Sequence, residues 1–378
     1  MIIKNALTVL DKSVEKKDIH INNGKIAEVS DFINPKKDTD VFDAEENYLF
    51  PGFIDIHAHG ACMQRFEDPD CDFGVLCDYF AKKGITAVAA GFSSRPADIF
   101  EQCAKNICSF ASDTSPHTKI LGIHAEGPFL NPEKRGGMPL EYLAKPQVEL
   151  FNRMYDVCNG MLKIITLAPE LENAFEVIKR ATELGVRVSA GHCDTSYEVM
   201  QEAIDAGVSH VTHTFNVCPP LAHRSPGMLG AAFNDDRVTC EVICDFYHVL
   251  PPVVQIIHKL KGPDHFVAVS DAVRYAGIET DEPIHENGRT LYYRDGVFVT
   301  QEDTVCGSGG SMHMAVKNLN SIGIPLWEIS KAVSLNPARE IFADKEYGSI
   351  EVGKYADFAL LDKSLDVKAT FVNGTQIY

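Results

Sequence analysis

The chain has 378 residues, 45% of them hydrophobic and 23% charged, with a formal net charge of −18. That composition fits a soluble protein with a large core, and the length suits one large domain plus a small accessory one. The acidic balance, with no basic block anywhere, excludes a phosphate-backbone binder and hence a nucleic-acid partner; a small anionic substrate would need local positive groups that overcome the overall field.

Residues 1–50 read as short β-type runs punctuated by turns. Ile19-His20-Ile21 leads into Asn22-Asn23-Gly24-Lys25-Ile26, where Asn-Gly marks a tight hairpin. The other end has the same texture, in Gly348-Ser349-Ile350 through Asp357-Phe358-Ala359-Leu360-Leu361 and again in Ala369-Thr370-Phe371-Val372-Asn373-Gly374. Two β-rich ends around a different middle predict one small β-sandwich domain built from residues 1–50 and 346–378. Between them, 51–345 alternates apolar strand-like runs with helical patterns. The strand candidates are 53–57, 85–91, 120–126, 162–168, 186–192, 208–213, 239–245 and 265–271, and typical helices are 72–83, 97–111, 171–184 and 197–206. Strand–helix alternation implies a parallel sheet with right-handed crossovers, and eight units imply a closed (β/α)8 barrel. An open doubly wound sheet is the competing fold, weakened by the lack of a Gly-rich loop after the first strand.

The polar residues then fall in a consistent place. His57 and His59, one residue apart at the end of the first strand, share a side by alternation and can reach one ion. Strand three ends at Glu126, strand five at His192, strand six at His213 and strand eight at Asp271. In a barrel these ends form one rim, where such folds keep their sites. Glu126, His192 and His213 make a mixed O/N set suited to zinc or ferrous iron. His57 and His59 are placed for a second ion, with Glu126 bridging. A divalent ion there would make water a nucleophile near neutral pH. Asp271 is placed to take and return its proton. The plainer alternatives are a salt-bridged or capping carboxylate for Glu126 and a cap for Asp271. His124, two residues before Glu126, is read as a hydrogen-bonded residue inside the barrel.

As a set, Pro51–Gly60, His124-Ala125-Glu126-Gly127-Pro128-Phe129, Ser189-Ala190-Gly191-His192, Thr212-His213-Thr214-Phe215-Asn216 and Ser270-Asp271-Ala272 resemble the amidohydrolase superfamily, and within it the N-acetylglucosamine-6-phosphate deacetylases. Asn336-Pro337-Ala338-Arg339 in the tail is also similar. The resemblance implies a divalent metal (Zn2+ or Fe2+) on Glu126, His192 and His213, and two ions because His57 and His59 are both present. It implies Asp271 as the catalytic acid/base. The substrate implied is the acetamide of an amino-sugar phosphate. Substrate contacts are implied at Gly137, Asn216, Val217, Arg224, Asp245, His248, Val305, Cys306 and Gly307. A homodimer is implied, with Arg224, in the long loop 214–237, reaching the neighbouring subunit's site. Met138 departs from the pattern, which has histidine after a Gly-Ala or Gly-Thr; a thioether cannot donate to an oxyanion. Val217-Cys218 replaces the usual Ala-Met. The alternatives are therefore another N-acetylhexosamine phosphate or related amide as substrate, or a sugar-phosphate-binding relative without activity. A cyclic-amide hydrolase is disfavoured, because the fourth strand ends Leu167-Ala168-Pro169-Glu170 without the bridging lysine such enzymes use.

The eleven cysteines are odd in number and none is spaced C-x-x-C, as in a reducing compartment. The first residues meet charge too early for a secretory segment, and no apolar run reaches spanning length. These features predict a cytoplasmic protein with no membrane partner.

Overall fold

The computed structural model describes residues 1–286, 289–294, 296–301 and 305–378, with Glu286, Arg289, Cys306 and Gly307 described by backbone alone. Its centre is a parallel barrel of β1 (Phe53–Ala58), β2 (Ile85–Ser93), β3 (Lys119–Glu126), β4 (Leu162–Leu167), β5 (Arg187–Ala190), β6 (Val208–Val211), β7 (Thr239–Ile243) and β8 (Phe266–Val269). Each strand pairs with the next in sequence order. The segment after β8 closes the ring: Ala58 bridges Ala272 in parallel, and the Asp271 amide donates to the His57 carbonyl at 2.8 Å. Closure thus runs through the residues beside the expected ligands.

Helices α1 (Phe73–Lys82), α2 (Ala97–Ala111), α3 (Val148–Val157), α4 (Ala174–Glu183), α5 (Tyr197–Ala206), α6 (Gly227–Asn234), α7 (Pro251–Lys261) and α8 (Met312–Ser321) follow the strands in turn. The start of α1 shows how sequence fixes a boundary. Asp72 stays extended and its carboxylate accepts from the Gly74 and Val75 amides, filling orphan donors of the first turn. Leu76, Tyr79 and Phe80 recur at helical spacing and are buried against the strands.

Both ends of the chain join one sheet, in the order Thr375–Gln376, Val367–Val372, Phe358–Leu361, Tyr48–Pro51, Ile2–Val9, Val14–Asn22, Lys25–Ser30, with Val41–Asp43 against Ile2–Val9. Ile3, Ile19, Leu49, Phe358 and Phe371 form its core. The expected hairpin is present: Asn22 pairs with Lys25 across Asn23 and Gly24, both at positive φ. Lys119, the first residue of β3, pairs with Asp357 at 2.9 Å and donates to Asn373 at 2.7 Å. The sheet therefore packs at the N-terminal ends of the strands and leaves the opposite mouth open.

Two differences from the sequence reading concern the site. The strands expected to run into His192, His213 and Asp271 stop two residues earlier, and these three residues adopt positive φ of 50°, 28° and 46°. The backbone breaks from extended geometry there, at a cost of about 1–3 kcal/mol each, because an extended chain would carry the side chain past the mouth instead of across it. Secondly, 214–237 is not one loop, since α6 occupies its second half. A small antiparallel sheet, Ile284–Glu286, Arg289–Arg294, Val297–Val299 and Val305–Ser308, also stands between β8 and α8 and was not anticipated.

Gly91 illustrates how tightly the mouth is packed. A Cβ there would lie 2.8 Å from the Ala58 carbonyl oxygen and 3.2 Å from His59 Nδ1. Backbone cannot yield cheaply, so Gly91→Ala is expected to destabilise by about 1–3 kcal/mol. The check is a lower urea midpoint with an unchanged slope.

Candidate metal centre

Glu126 ends β3 facing the mouth, and its carboxylate is the point on which the other groups converge. Oε1 lies 2.9 Å from His192 Nε2 and 3.0 Å from His213 Nε2. Those two imidazole nitrogens are 3.0 Å from each other. On the other side, Oε2 lies 3.2 Å from His59 Nε2, which is 3.3 Å from His57 Nε2. Asp271 Oδ1 is 3.7 Å from His57 Nε2 and 3.6 Å from His59 Nε2. All five ligand candidates are buried. Among the described residues, Glu126–His192–His213 and His57–His59–Asp271 are two groups spaced to hold an ion, with Glu126 between them.

Hydrogen bonding decides what these contacts are. His192 Nδ1 faces the Lys134 carbonyl oxygen at 2.9 Å, and a carbonyl only accepts, so Nδ1 carries the proton. In the neutral ring Nε2 then turns a lone pair toward a carboxylate oxygen 2.9 Å away. His57 is arranged likewise, with Nδ1 2.9 Å from Glu241 Oε2. Protonating every Nε2 offers no relief, because imidazolium N–H groups 3.0 and 3.3 Å apart would oppose each other. A divalent cation shared by the set meets all the contacts at once, and carboxylate plus imidazole is a donor set that zinc or ferrous iron accepts. The residues present fit such an ion.

Burial alone would raise the Glu126 carboxyl, but the imidazoles of His192 and His57 hold it well below its ordinary range. Burial alone would lower the His57 imidazole, but the carboxylates of Glu241, Asp271 and Glu126 hold it well above. His57, His124 and Glu241 form a third such cluster, but both His124 nitrogens are already engaged. Its Nδ1 donates to the Ile56 carbonyl at 2.9 Å and its Nε2 meets Thr166 Oγ1 at 2.8 Å, and burial, helped by His57, pushes it down to about 3. Both of its nitrogens are engaged inside the barrel.

Above the ligands opens a cavity of about 950 Å3. Gly137, Met138, Asn216, Val217, His248 and Val305 line it together with the metal-facing groups. Val217 holds φ at 50°, a genuine outlier for a β-branched residue. Asp245 sits behind His248 rather than on the wall: its carboxylate accepts the His248 amide at 2.9 Å and faces His248 Nδ1 at 2.6 Å. Burial would lower the His248 imidazole, but Asp245 outweighs it and raises it. Arg224 is exposed and absent from the cavity wall. The side-chain surroundings of Cys306 and Gly307 lie outside the described residues. Arg65, Arg95 and Arg274, which the sequence reading did not single out, do line the cavity.

The sequence reading also missed what stands behind His57. Glu241, on β7, contacts His57 and, through Oε1, His210 Nε2 at 2.9 Å. His210 Nδ1 lies 2.9 Å from Glu340 Oε2, which Arg187 Nε reaches at 3.0 Å. An ionisable residue within the apolar run Thr239-Cys240-Glu241-Val242-Ile243 was the available signal, since buried glutamates are almost always paired.

A barrel whose strand ends carry carboxylate and imidazole ligands to one mouth is the frame of a metal-dependent hydrolase, and the chain belongs to the amidohydrolase family, which matches residues 48–377. It is a hydrolase acting on an amide. The N-acetylglucosamine-6-phosphate deacetylase of Lysinibacillus sphaericus is 31% identical over 378 residues, covering 99% of this chain and 97% of that one. The crystal structure of N-acetylglucosamine-6-phosphate deacetylase from Pasteurella multocida is similar with a TM-score of 0.91 at 29% identity, over 99% of this chain and 98% of that one. The N-acetylgalactosamine-6-phosphate deacetylase of Escherichia coli O157:H7 is 29% identical over 336 residues, covering 88% and 89%.

The charge on His210 gives a pH dependence. Burial would lower its pKa, but Glu340 and Glu241 raise it from 6.5 to about 9. The native state therefore binds this proton more tightly than the unfolded chain, so the stabilisation is full below pH 6.5 and is lost as pH rises through about 9. Urea unfolding of wild type and His210→Gln across that window is expected to show the stability gap closing toward high pH.

Proposed function

We propose that the chain hydrolyses the N-acetyl group of N-acetylglucosamine 6-phosphate to glucosamine 6-phosphate and acetate, a step of amino-sugar catabolism. The observation that carries this reading is the double ligand group on Glu126 beneath a cavity that also holds His248. The sequence kinship with deacetylases of such sugars supports it. A bound divalent cation, Zn2+ or Fe2+, supplies Lewis acidity at the acetyl carbonyl and lowers the pKa of water. Glu126, His192 and His213 would hold one ion, and His57 and His59, with Glu126 bridging, a second.

The chain's own residues do the rest. Asp271, 3.7 and 3.6 Å from His57 and His59 Nε2, takes a proton from the attacking water and returns it to the departing nitrogen, so the C–N bond breaks to a neutral amine. Water adds to the acetyl carbon, acetate leaves with its oxygen, and the second proton of that water passes to solvent or to the free amine. His248, raised by Asp245, presents a positive imidazole to the phosphate. Asn216 and Val217 line the same cavity and position the sugar. Arg224, exposed on its loop, reaches the site of a second copy in a homodimer. In this scheme the catalytic unit is 51–345 and the β-sandwich is 1–50 with 346–378. Among the described residues no helix is long and apolar enough to cross a membrane, and we place the protein in the cytoplasm.

A second reading concerns the sugar. Met138 is buried in the cavity wall where a polarising histidine was expected, and a relative named for N-acetylgalactosamine 6-phosphate is nearly as similar. Acetate release from both epimers decides between them. Met138→His is expected to raise turnover on the glucosamine epimer if that is the substrate, and to leave it flat if the sugar sits elsewhere. For the chemistry itself, Asp271→Asn is expected to lower kcat about 100- to 10,000-fold while the ion at Glu126 is retained in metal analysis. Near-normal turnover in that variant would remove Asp271 from the mechanism.

A further inference from the structure

We infer that Glu241 is a positioning residue that turns the His57 lone pair toward the second ion, and that His210, Glu340 and Arg187 exist to keep Glu241 ionised and in place. The inference rests on the two-ion reading above and deepens it.

His210 lies between two carboxylates, Glu340 Oε2 at Nδ1 and Glu241 Oε1 at Nε2, each at 2.9 Å. Ionised carboxylates only accept, so both ring nitrogens donate and His210 is an imidazolium. Arg187 at Glu340 completes an alternating chain of charges: Arg187 positive, Glu340 negative, His210 positive, Glu241 negative. Glu241 and His210 are fully buried and Glu340 nearly so, a setting in which each charge is tolerable only because its neighbours compensate it. Held in that chain, Glu241 accepts and does not donate. Its Oε2 lies 2.9 Å from His57 Nδ1 and 3.2 Å from the His213 amide, so the proton of the His57 ring sits on Nδ1. In the neutral ring, the form that binds an ion, Nε2 is bare and faces His59, Glu126 and Asp271. A carboxylate behind a ligand histidine fixes the ring and raises its basicity.

The other ligand group is oriented differently. His192 rests on a neutral backbone carbonyl, that of Lys134. The charge of Glu241 therefore acts most on the ion held through His57. The Asp55 carboxylate, which accepts the His57 and Ser270 amides at 3.2 and 3.3 Å, holds the backbone of this ligand and leaves the ring to Glu241.

The test uses the full chain, stripped with a chelator and titrated with Zn2+ by calorimetry, with metal content measured afterwards and thermal unfolding as a fold control. Glu241→Leu is expected to weaken the His57-side ion about 10- to 100-fold while the Glu126–His192–His213 ion is retained. Glu241→Gln, which still offers an acceptor, is expected to fall between Leu and wild type. Wild-type affinity for both ions in the folded Leu variant, or equal weakening of both, overturns the inference. If the Leu variant does not fold, histidine-selective 15N NMR of the wild-type chain decides instead, with His57→Asn identifying the signal. The His57 Nδ1 is expected to carry a proton in both the metal-free and the Zn2+-loaded protein, and a bare Nδ1 overturns the inference. A wild-type chain that takes up only one Zn2+ removes the two-ion reading itself, and the Nδ1 proton remains a separate result.

Discussion

A carboxylate oxygen within 3.0 Å of two imidazole nitrogens that are themselves 3.0 Å apart is a contact that a shared divalent cation makes favourable. The rest of the structure is arranged to impose it. Glu126, His192 and His213 come from three different strands, and His57, His59 and Asp271 from the seam where the barrel closes. Ring closure and ligand assembly are thus one event: the Asp271 amide that completes the barrel lies next to the carboxylate that faces the ligands. A folding error at the seam would remove the second ligand group as well.

Imposing this geometry requires local departures from good backbone. His192, His213, Asp271 and Val217 all hold positive φ, each costing about 1–3 kcal/mol. They persist because the flanking strands are buried and cannot relax. Gly191 shows how little slack there is, since a Cβ on it would lie 2.7 Å from Thr212 Cβ. Side chains swung inward by a left-handed residue reach across the mouth, and the strand beneath supplies the rigidity. Strain at the rim and order in the barrel are therefore complementary.

The same division explains what was legible in the sequence. Apolar runs of strand length alternating with amphipathic helices gave the barrel, and polar residues at the ends of those runs gave the rim. The strand ends lie two residues before His192, His213 and Asp271, which the apolar runs do not show, because periodicity reports burial and His192 and His213 remain buried, and Asp271 half-buried, after the strand has stopped. The sheet between β8 and α8 carried a hairpin signal in Asp295-Gly296, set between β-rich runs, but it interrupts the barrel repeat and was passed over. Glu241 is marked only as a charge inside an apolar run, and its partners His210 and Glu340 are illegible for a different reason. Each is a single charged residue in an otherwise apolar or helical stretch, and their meaning lies only in their mutual contact across the barrel.

Chemistry and specificity consequently sit on different kinds of chain. The ligands and Asp271 belong to strand ends braced by the core, whereas Met138 lies on an irregular stretch between β3 and α3, and Val217 on the one between β6 and α6. Residues of the second kind can change without disturbing the first, because no buried hydrogen bond of the ligand groups passes through the Met138 side chain. The cavity above the ligand groups is also lined by Arg65, Arg95 and Arg274, positive groups within a chain of net charge −18. Glu67, Glu126 and Asp271 share that wall, and Arg95 pairs with Glu67 at 3.2 Å, so an anion is held only where the walls bring it close to the arginines. The ligand groups at the strand ends therefore carry the chemistry, and the loops determine which amide comes within reach of them.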